Sequence, residues 1–269
     1  MNVIERNNVN IRGRGGRPMI FAHGYGCDQT IWQLVAPSFE KEYETILFDH
    51  VGAGRSDTSH YDRTKYNTLH GYADDLVEIG QRLEISEAIF VGHSVSAMIG
   101  LLAAIKNPKL FERLILIGPS PCYFNENSYC GGFSFEDLNA MLQDMESNFE
   151  SWAVTMAPVI MGNPQRPELA EELVEKFCRN KPEIARHFAH VTFLSDHRRD
   201  LSQVQVPSVL LQCSQDQIAP ESVGRYMQAT LPFSRLHIME ATGHCPHLSA
   251  PKETTATIHR YASDPPKIV

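Results

Sequence analysis

The chain has 269 residues, 42% of them hydrophobic and 21% charged, a balance typical of globular proteins and enough apolar material to build a core without disulfide or metal staples. Its formal net charge of −8 comes from 24 basic and 32 acidic residues, and the basic residues are scattered apart from Arg12, Arg14 and Arg17, which excludes a concentrated phosphate-binding face and nucleic acid as a partner. The six cysteines form no C-x-x-C pair, the twelve histidines lack zinc-site spacing, the N-terminus carries no apolar signal core, and the apolar run Val95 to Ile105 is too short to span a bilayer, so a soluble cytoplasmic protein with free buried thiols, no metal and no cofactor is expected.

In chain order, β-rich runs fall at Val3–Ile11, Met19–Ala22, Thr45–Phe48, Ala88–Val91 and Arg113–Ile117. Between them, Ile31–Phe39, Tyr72–Leu83 and Val95–Lys106 carry helical period. This alternation predicts a mostly parallel sheet covered on both faces. Ile89-Phe90-Val91 and Leu114 to Ile117 are apolar without alternation, as central strands buried on both faces should be. From about residue 124 to 196 no strand-like run occurs. Apolar residues there recur at helical spacing, broken at Gly162-Asn163-Pro164 and Asn180-Lys181-Pro182, and Ser134 with Asp137 resembles a capping box. Four short helices are therefore expected, inserted into a single domain whose core is residues 1–123 and 197–269. Strand, helix, strand and helix then follow at Val206–Cys213, Ser222–Thr230, Arg235–Met239 and Lys252–Tyr261, before a frayed tail at Asp264-Pro265-Pro266.

The chemistry concentrates at three strand ends. In Ile89-Phe90-Val91-Gly92-His93-Ser94-Val95-Ser96-Ala97 a buried strand runs straight into a helix with Ser94 at the turn and small residues around it, the context of a nucleophile elbow. The last position of the usual G-x-S-x-G is Ser96, so the turn must accept a hydroxymethyl group. The competing reading makes Ser94 only the N-cap of the helix. Asp216 follows one late strand and His244 the last one, in the chain order nucleophile, acid, base, each at a strand's C-terminal end. His23-Gly24-Tyr25-Gly26 follows the strand Met19–Ala22 and would bring the Tyr25 amide to an oxyanion hole shared with the Val95 amide. Gly52-Ala53-Gly54-Arg55-Ser56-Asp57 and Gly13-Arg14-Gly15-Gly16 read as turns, and Asp196, His197 and Asp200 as a solvated loop. A serine in place of a carboxylate nucleophile argues against a haloalkane dehalogenase.

The run Gly92-His93-Ser94-Val95-Ser96-Ala97-Met98-Ile99-Gly100 resembles the hydrolases that plants use as strigolactone and karrikin receptors. Gly118-Pro119-Ser120-Pro121-Cys122-Tyr123, Gly131-Gly132-Phe133 and Gly243-His244-Cys245-Pro246-His247 are similar to RsbQ, the bacterial stress-response hydrolase of the same family, and the likeness covers nearly the whole chain. It implies an α/β-hydrolase fold with a four-helix lid at about residues 124–196 over an apolar pocket. By position, Tyr25, Phe133, Trp152, Met156, Phe193 and Ile218 would line that pocket. The implied ligand is a small apolar ester or butenolide lactone. The implied activity is that of a serine hydrolase using Ser94, His244 and Asp216. The alternative is a sensor with slow or single-turnover hydrolysis that recruits a signalling protein through the lid.

Overall fold

The computed structural model describes residues 2–263. The chain enters differently from the sequence pattern. Val3–Arg6 forms a single helical turn, α1, capped by the Asn2 side chain, which accepts from the Ile4 amide at 3.0 Å. Asn8 then takes a left-handed backbone (φ 45°), which ends any extended run, and strand β1 is confined to Asn10–Arg12. The expected strand Val3–Ile11 is thus replaced by a helical turn, a reversal and three residues of edge strand.

Strands β2 (Arg17–Ala22) and β3 (Tyr43–Phe48) flank the expected helix Ile31–Phe39. That segment is instead two 3-10 turns, Gln29–Trp32 and Ala36–Phe39, the second opening on Pro37, which has no amide hydrogen to continue a helix. Helix α2 (Leu69–Arg82), strand β4 (Ala88–His93), helix α3 (Val95–Lys106) and strand β5 (Phe111–Ile117) follow. Every residue of β4 is buried, as is every residue of β5 except Glu112, so both are covered on two faces as their unbroken apolar runs require.

Four helices separate β5 from β6: α4 (Phe135–Ser147), α5 (Phe149–Met161), α6 (Pro167–Cys178) and α7 (Pro182–Phe193). Their ends follow local chemistry. Ser134 accepts from the Asp137 amide at 3.0 Å and its hydroxyl donates to the Asp137 carboxylate at 2.7 Å. Gly162 closes α5 in the left-handed region (φ 58°), and α6 and α7 open on proline, whose missing amide hydrogen costs nothing there. Strand β6 (Ser208–Gln215), helix α8 (Glu221–Thr230), strand β7 (Ser234–Thr242), the short α9 (Pro246–Ser249) and α10 (Pro251–Ser263) complete the described chain. The expected frayed tail at residues 264–266 lies outside the described residues.

The sheet order is β1-β3-β2-β4-β5-β6-β7, parallel throughout except for the antiparallel edge pair β1–β3. Ala22 stands beside Gly92, and Ile117 beside Leu211, so the loops after β2, β4, β5, β6 and β7 leave from one edge. Of the six free cysteines, Cys27, Cys122, Cys213 and Cys245 are buried, whereas Cys130 and Cys178 are exposed, against the expectation that all are interior. No helix among the described residues is long and apolar enough to cross a membrane.

Candidate active site

Strand β4 reaches α3 through Ser94, whose backbone sits at φ 55°, ψ −122°, a conformation that non-glycine residues avoid and that marks a strained turn. The turn closes because its neighbours are small. A Cβ on Gly92 would lie 2.5 Å from the Phe90 ring, and one on Gly100 would lie 2.2 Å from it, so two glycines let α3 pack directly over β4. The Ser94 amide donates to the Ile117 carbonyl at 2.8 Å. Its side chain caps nothing in α3, so the N-cap reading fails. The hydroxyl donates instead to His244 Nε2 at 2.7 Å.

His244 Nδ1–H donates in turn to Asp216 Oδ2 at 2.7 Å. The other oxygen of Asp216 accepts from the amides of Ile218 (2.8 Å) and Ala219 (3.0 Å), which fixes the carboxylate's plane. Ser94, His244 and Asp216 are all buried, and they come from the ends of β4, β7 and β6. Gly118 (φ +56°), just past β5, leaves room for the ring, since a Cβ there would sit 3.0 Å from the imidazole. The loop bearing His244 is held from two sides. Its amide donates to the Ile160 carbonyl of α5 at 2.8 Å, and its carbonyl accepts from His93 Nε2 at 2.8 Å. Gly243 (φ +77°) lies so close to the end of α5 that a Cβ would stand 1.8 Å from the Met161 carbonyl oxygen. The Asn163 side chain stitches the seam by donating to the Met161 carbonyl at 2.6 Å and the Thr242 carbonyl at 3.2 Å.

The loop after β2 is held by a closed ring of hydrogen bonds. His23 Nδ1–H donates to the Gly24 carbonyl at 2.9 Å, and His23 Nε2 accepts from the His50 amide at 3.1 Å. His50 Nε2–H donates to Ser96 Oγ at 2.7 Å, and the Ser96 hydroxyl donates to the His23 carbonyl. These tautomers are the ones that satisfy the ring. Ser96 therefore has a role that glycine could not fill: its extra hydroxymethyl ties α3 to this loop. Burial holds the imidazoles of His23 and His50 below the usual histidine range, so the ring stays neutral and intact around neutral pH. Among the described residues, neither the Tyr25 nor the Val95 amide meets a protein acceptor.

A narrow cavity opens on Ser94. Its volume is about 30 Å³. Of the six residues expected to line it, Tyr25, Trp152, Met156, Phe193 and Ile218 do so. Phe133 lies elsewhere, half-buried and bridging to Phe124 in the approach to α4. The sequence reading missed Met141, Ile160, Leu173 and Phe177. The helical spacing of Ile160, Leu173 and Phe177 was visible, but which face of each helix turns inward is set by packing. It also missed Tyr123, a buried phenol beside Ser94 whose pKa burial pushes up to about 12. The Tyr25 hydroxyl donates to the Ala185 carbonyl of α7 at 3.0 Å, so the loop after β2 is bonded directly to the inserted helices.

The remaining motifs sort as follows. Gly52 and Gly54 have positive φ and lie in turns. The expected solvated loop is partly ordered: His197 is buried with Nδ1 bonded to Asp200 at 2.8 Å, and Asp196 pairs with Arg198. His93 is brought beside Cys245 and His247, 152 and 154 residues away in sequence, so that one ligating atom from each lies within 4.8 Å of the others.

A strand-to-helix turn bearing a hydroxyl that borders a cavity, with a base and an acid on neighbouring strand ends, is the constellation by which sheet-based hydrolases are recognised. The model of the alpha/beta hydrolase family matches residues 19–257, and the chain belongs to that family. A hydrolase structure from Oleispira antarctica superposes with a TM-score of 0.94 at 37% identity, covering 97% of both chains. Strigolactone esterase D14 of Arabidopsis thaliana is 37% identical over 260 residues, 96% of this chain and 97% of that one. Karrikin insensitive 2 receptor CA of Petunia hybrida is 35% identical over 260 residues, 96% of each.

Proposed function

We propose that the chain is a serine hydrolase that cleaves a small apolar ester or butenolide-type lactone by acyl transfer. The observation that carries this reading is the continuous line Ser94 Oγ, His244 Nε2, His244 Nδ1, Asp216 Oδ2, with both contacts at 2.7 Å. As Ser94 Oγ attacks the carbonyl carbon, His244 takes its proton, and Asp216 holds the imidazole in the receptive tautomer and stabilises its positive form. The carbonyl π bond opens onto oxygen, and the resulting oxyanion is bound by the Tyr25 and Val95 amides, each such donor being worth about 3 kcal/mol. The tetrahedral intermediate expels the alkoxide or enolate, which leaves with the proton from His244. Water, deprotonated by His244, then attacks the acyl-serine; the second tetrahedral intermediate breaks its bond to Ser94 Oγ, which takes the proton back from His244, and the acid is freed. An apolar cavity and the names of the relatives support the substrate class. The protein acts in the cytoplasm, without a bound cofactor.

A second reading, a ligand sensor that turns over slowly and engages a protein partner through the four-helix insert, is favoured by the receptor name of a relative matching 96% of the chain and by a cavity too small for a ring-sized ligand unless the insert moves. One experiment separates the two. Release of a coloured leaving group from a short-chain ester and from a butenolide probe is followed for wild type and Ser94→Ala, with intact mass recorded. Sustained, Ser94-dependent turnover supports the hydrolase, and a burst of about one equivalent with a retained adduct supports the sensor. Full activity in Ser94→Ala refutes both.

A further inference from the structure

We propose that His93, Cys245 and His247 form a binding site for a soft, thiophilic metal ion of the zinc class, directly behind His244, and that an ion bound there inhibits hydrolysis. The three residues come from two pieces of backbone: His93 ends β4, while Cys245 stands at the N-cap of α9 and His247 two residues on, inside its first turn. All are buried, and the hydrolytic mechanism uses none of their free ligand atoms. One ligand atom from each of the three lies within 4.8 Å of the other two. A tetrahedral zinc ion with Zn–N near 2.0 Å and Zn–S near 2.3 Å sets its ligands about 3.3–3.6 Å apart, so closing the site takes a contraction of about 1 Å.

The hydrogen-bond inventory points the same way. Both ring nitrogens of His247 and Nδ1 of His93 are buried with no hydrogen-bond partner among the described residues, a rare condition for interior polar atoms. His93 Nε2–H is committed to the His244 carbonyl. That leaves Nδ1 as an unpartnered lone pair packed against Gly24, where a Cβ would stand 2.4 Å from it, so ligation by His93 takes a turn of its ring or release of the His244 carbonyl. Burial keeps both imidazoles in the neutral, ligating form. His247 is further held by ring contacts to Trp32 (4.8 Å between centroids) and His93 (4.4 Å).

Binding replaces the S–H bond of Cys245 with a metal–sulfur bond and releases one proton to solvent. Burial and the field of Asp216 push the Cys245 thiol up, so the thiolate forms only with the ion bound, and its charge then offsets part of the divalent charge in the interior. Entry is through the substrate cavity, which His93 and Cys245 border beside Ser94. Once bound, the cation stands next to His244 and opposes the imidazolium that must form during acyl transfer, so turnover falls while the fold is kept.

The test uses the full chain with the exposed thiols removed (Cys130→Ser, Cys178→Ser), titrated with Co²⁺ as a spectroscopic probe and with Zn²⁺. The expected result is one equivalent of Co²⁺ with a thiolate-to-metal charge-transfer band and the visible absorption of a four-coordinate ion, its fourth ligand a water from the substrate cavity. Zn²⁺ should displace it and lower ester hydrolysis about tenfold or more, with recovery on chelation. In Cys245→Ala the band and the metal sensitivity should both vanish, with inhibition scored against that variant's own metal-free rate. His247→Gln should weaken binding, and if it does not fold, Cys245→Ala decides alone. Absence of the band, or its survival in Cys245→Ala, overturns the site, as it would if water alone satisfied these nitrogens. Binding without loss of rate overturns the inhibition.

Discussion

Ser96→Ala isolates the ring that holds the loop after β2. Ser96 is fully buried, and its hydroxyl both accepts from His50 Nε2–H and donates to the His23 carbonyl. Alanine removes both bonds and strands two interior groups, each orphan costing about 1–3 kcal/mol. Alanine's better helix propensity returns about 0.5 kcal/mol at most. The expected net loss is about 1.5–5.5 kcal/mol, or a fall in Tm of roughly 3–20 °C for a chain of this size. Because the ring positions the loop that presents the Tyr25 amide, kcat should fall more than tenfold with little change in KM, part of the roughly 10²–10³ that a lost oxyanion donor costs. Differential scanning calorimetry and steady-state hydrolysis of an activated ester read the two effects. Ser96→Gly should behave the same way. A Tm within about 2 °C of wild type, with unchanged kcat, would show that the hydroxymethyl is merely tolerated and would refute the argument.

Asp216→Asn should lower kcat by about four orders of magnitude through the wrong imidazole tautomer, with KM little changed; steady-state kinetics showing less than a tenfold loss would remove Asp216 from the mechanism. Trp152→Ala should widen the cavity and shift preference toward bulkier esters at a cost of about 3–5 kcal/mol in stability, and an unchanged substrate profile would count against its place in the lining. Stability should fall in mild acid. Burial lowers the His247 pKa to about 3, so below the ordinary value near 6.5 the unfolded chain takes up a proton that the folded one refuses. Full stability is present above pH 6.5 and is lost as pH falls toward 3. At pH 5 the deficit is about 2 kcal/mol from His247 alone, and His50 and His93 add to it with the same sign. A Tm that is flat from pH 7.5 to 5 would contradict this.

The parts legible in the sequence were those fixed by local rules. The unbroken apolar runs of β4 and β5 announced strands buried on both faces, and the small residues around Ser94 announced the turn. The order of Ser94, Asp216 and His244 on successive strand ends placed three groups that the fold then joins at 2.7 Å. What could not be read depended on contacts between distant segments. The β-like pattern of Val3–Ile11 yields to the left-handed Asn8 and to α1, whose Arg6 pairs with Asp75 at 2.9 Å. Phe133 looked like a lining residue by position, yet its bridge to Phe124 turns it aside, while Phe177 enters the cavity from α6. Ser96 read as a departure from pattern because its two partners lie 46 and 73 residues away.

The seam between the end of α5 and the loop carrying His244 limits how this fold can diversify. An inserted helical cap is often pictured as a cassette that evolution or a designer can exchange while leaving the catalytic platform alone. Here the boundary runs through backbone: the His244 amide reaches the Ile160 carbonyl, Asn163 spans both sides, and Gly243 has no space for even a methyl group against Met161. A transplanted cap would need to bring its own matching glycine and asparagine, or the base would arrive in the wrong place. Substrate range in this chain is therefore more readily altered by single side chains such as Trp152 or Phe177 than by replacing the cap that carries them.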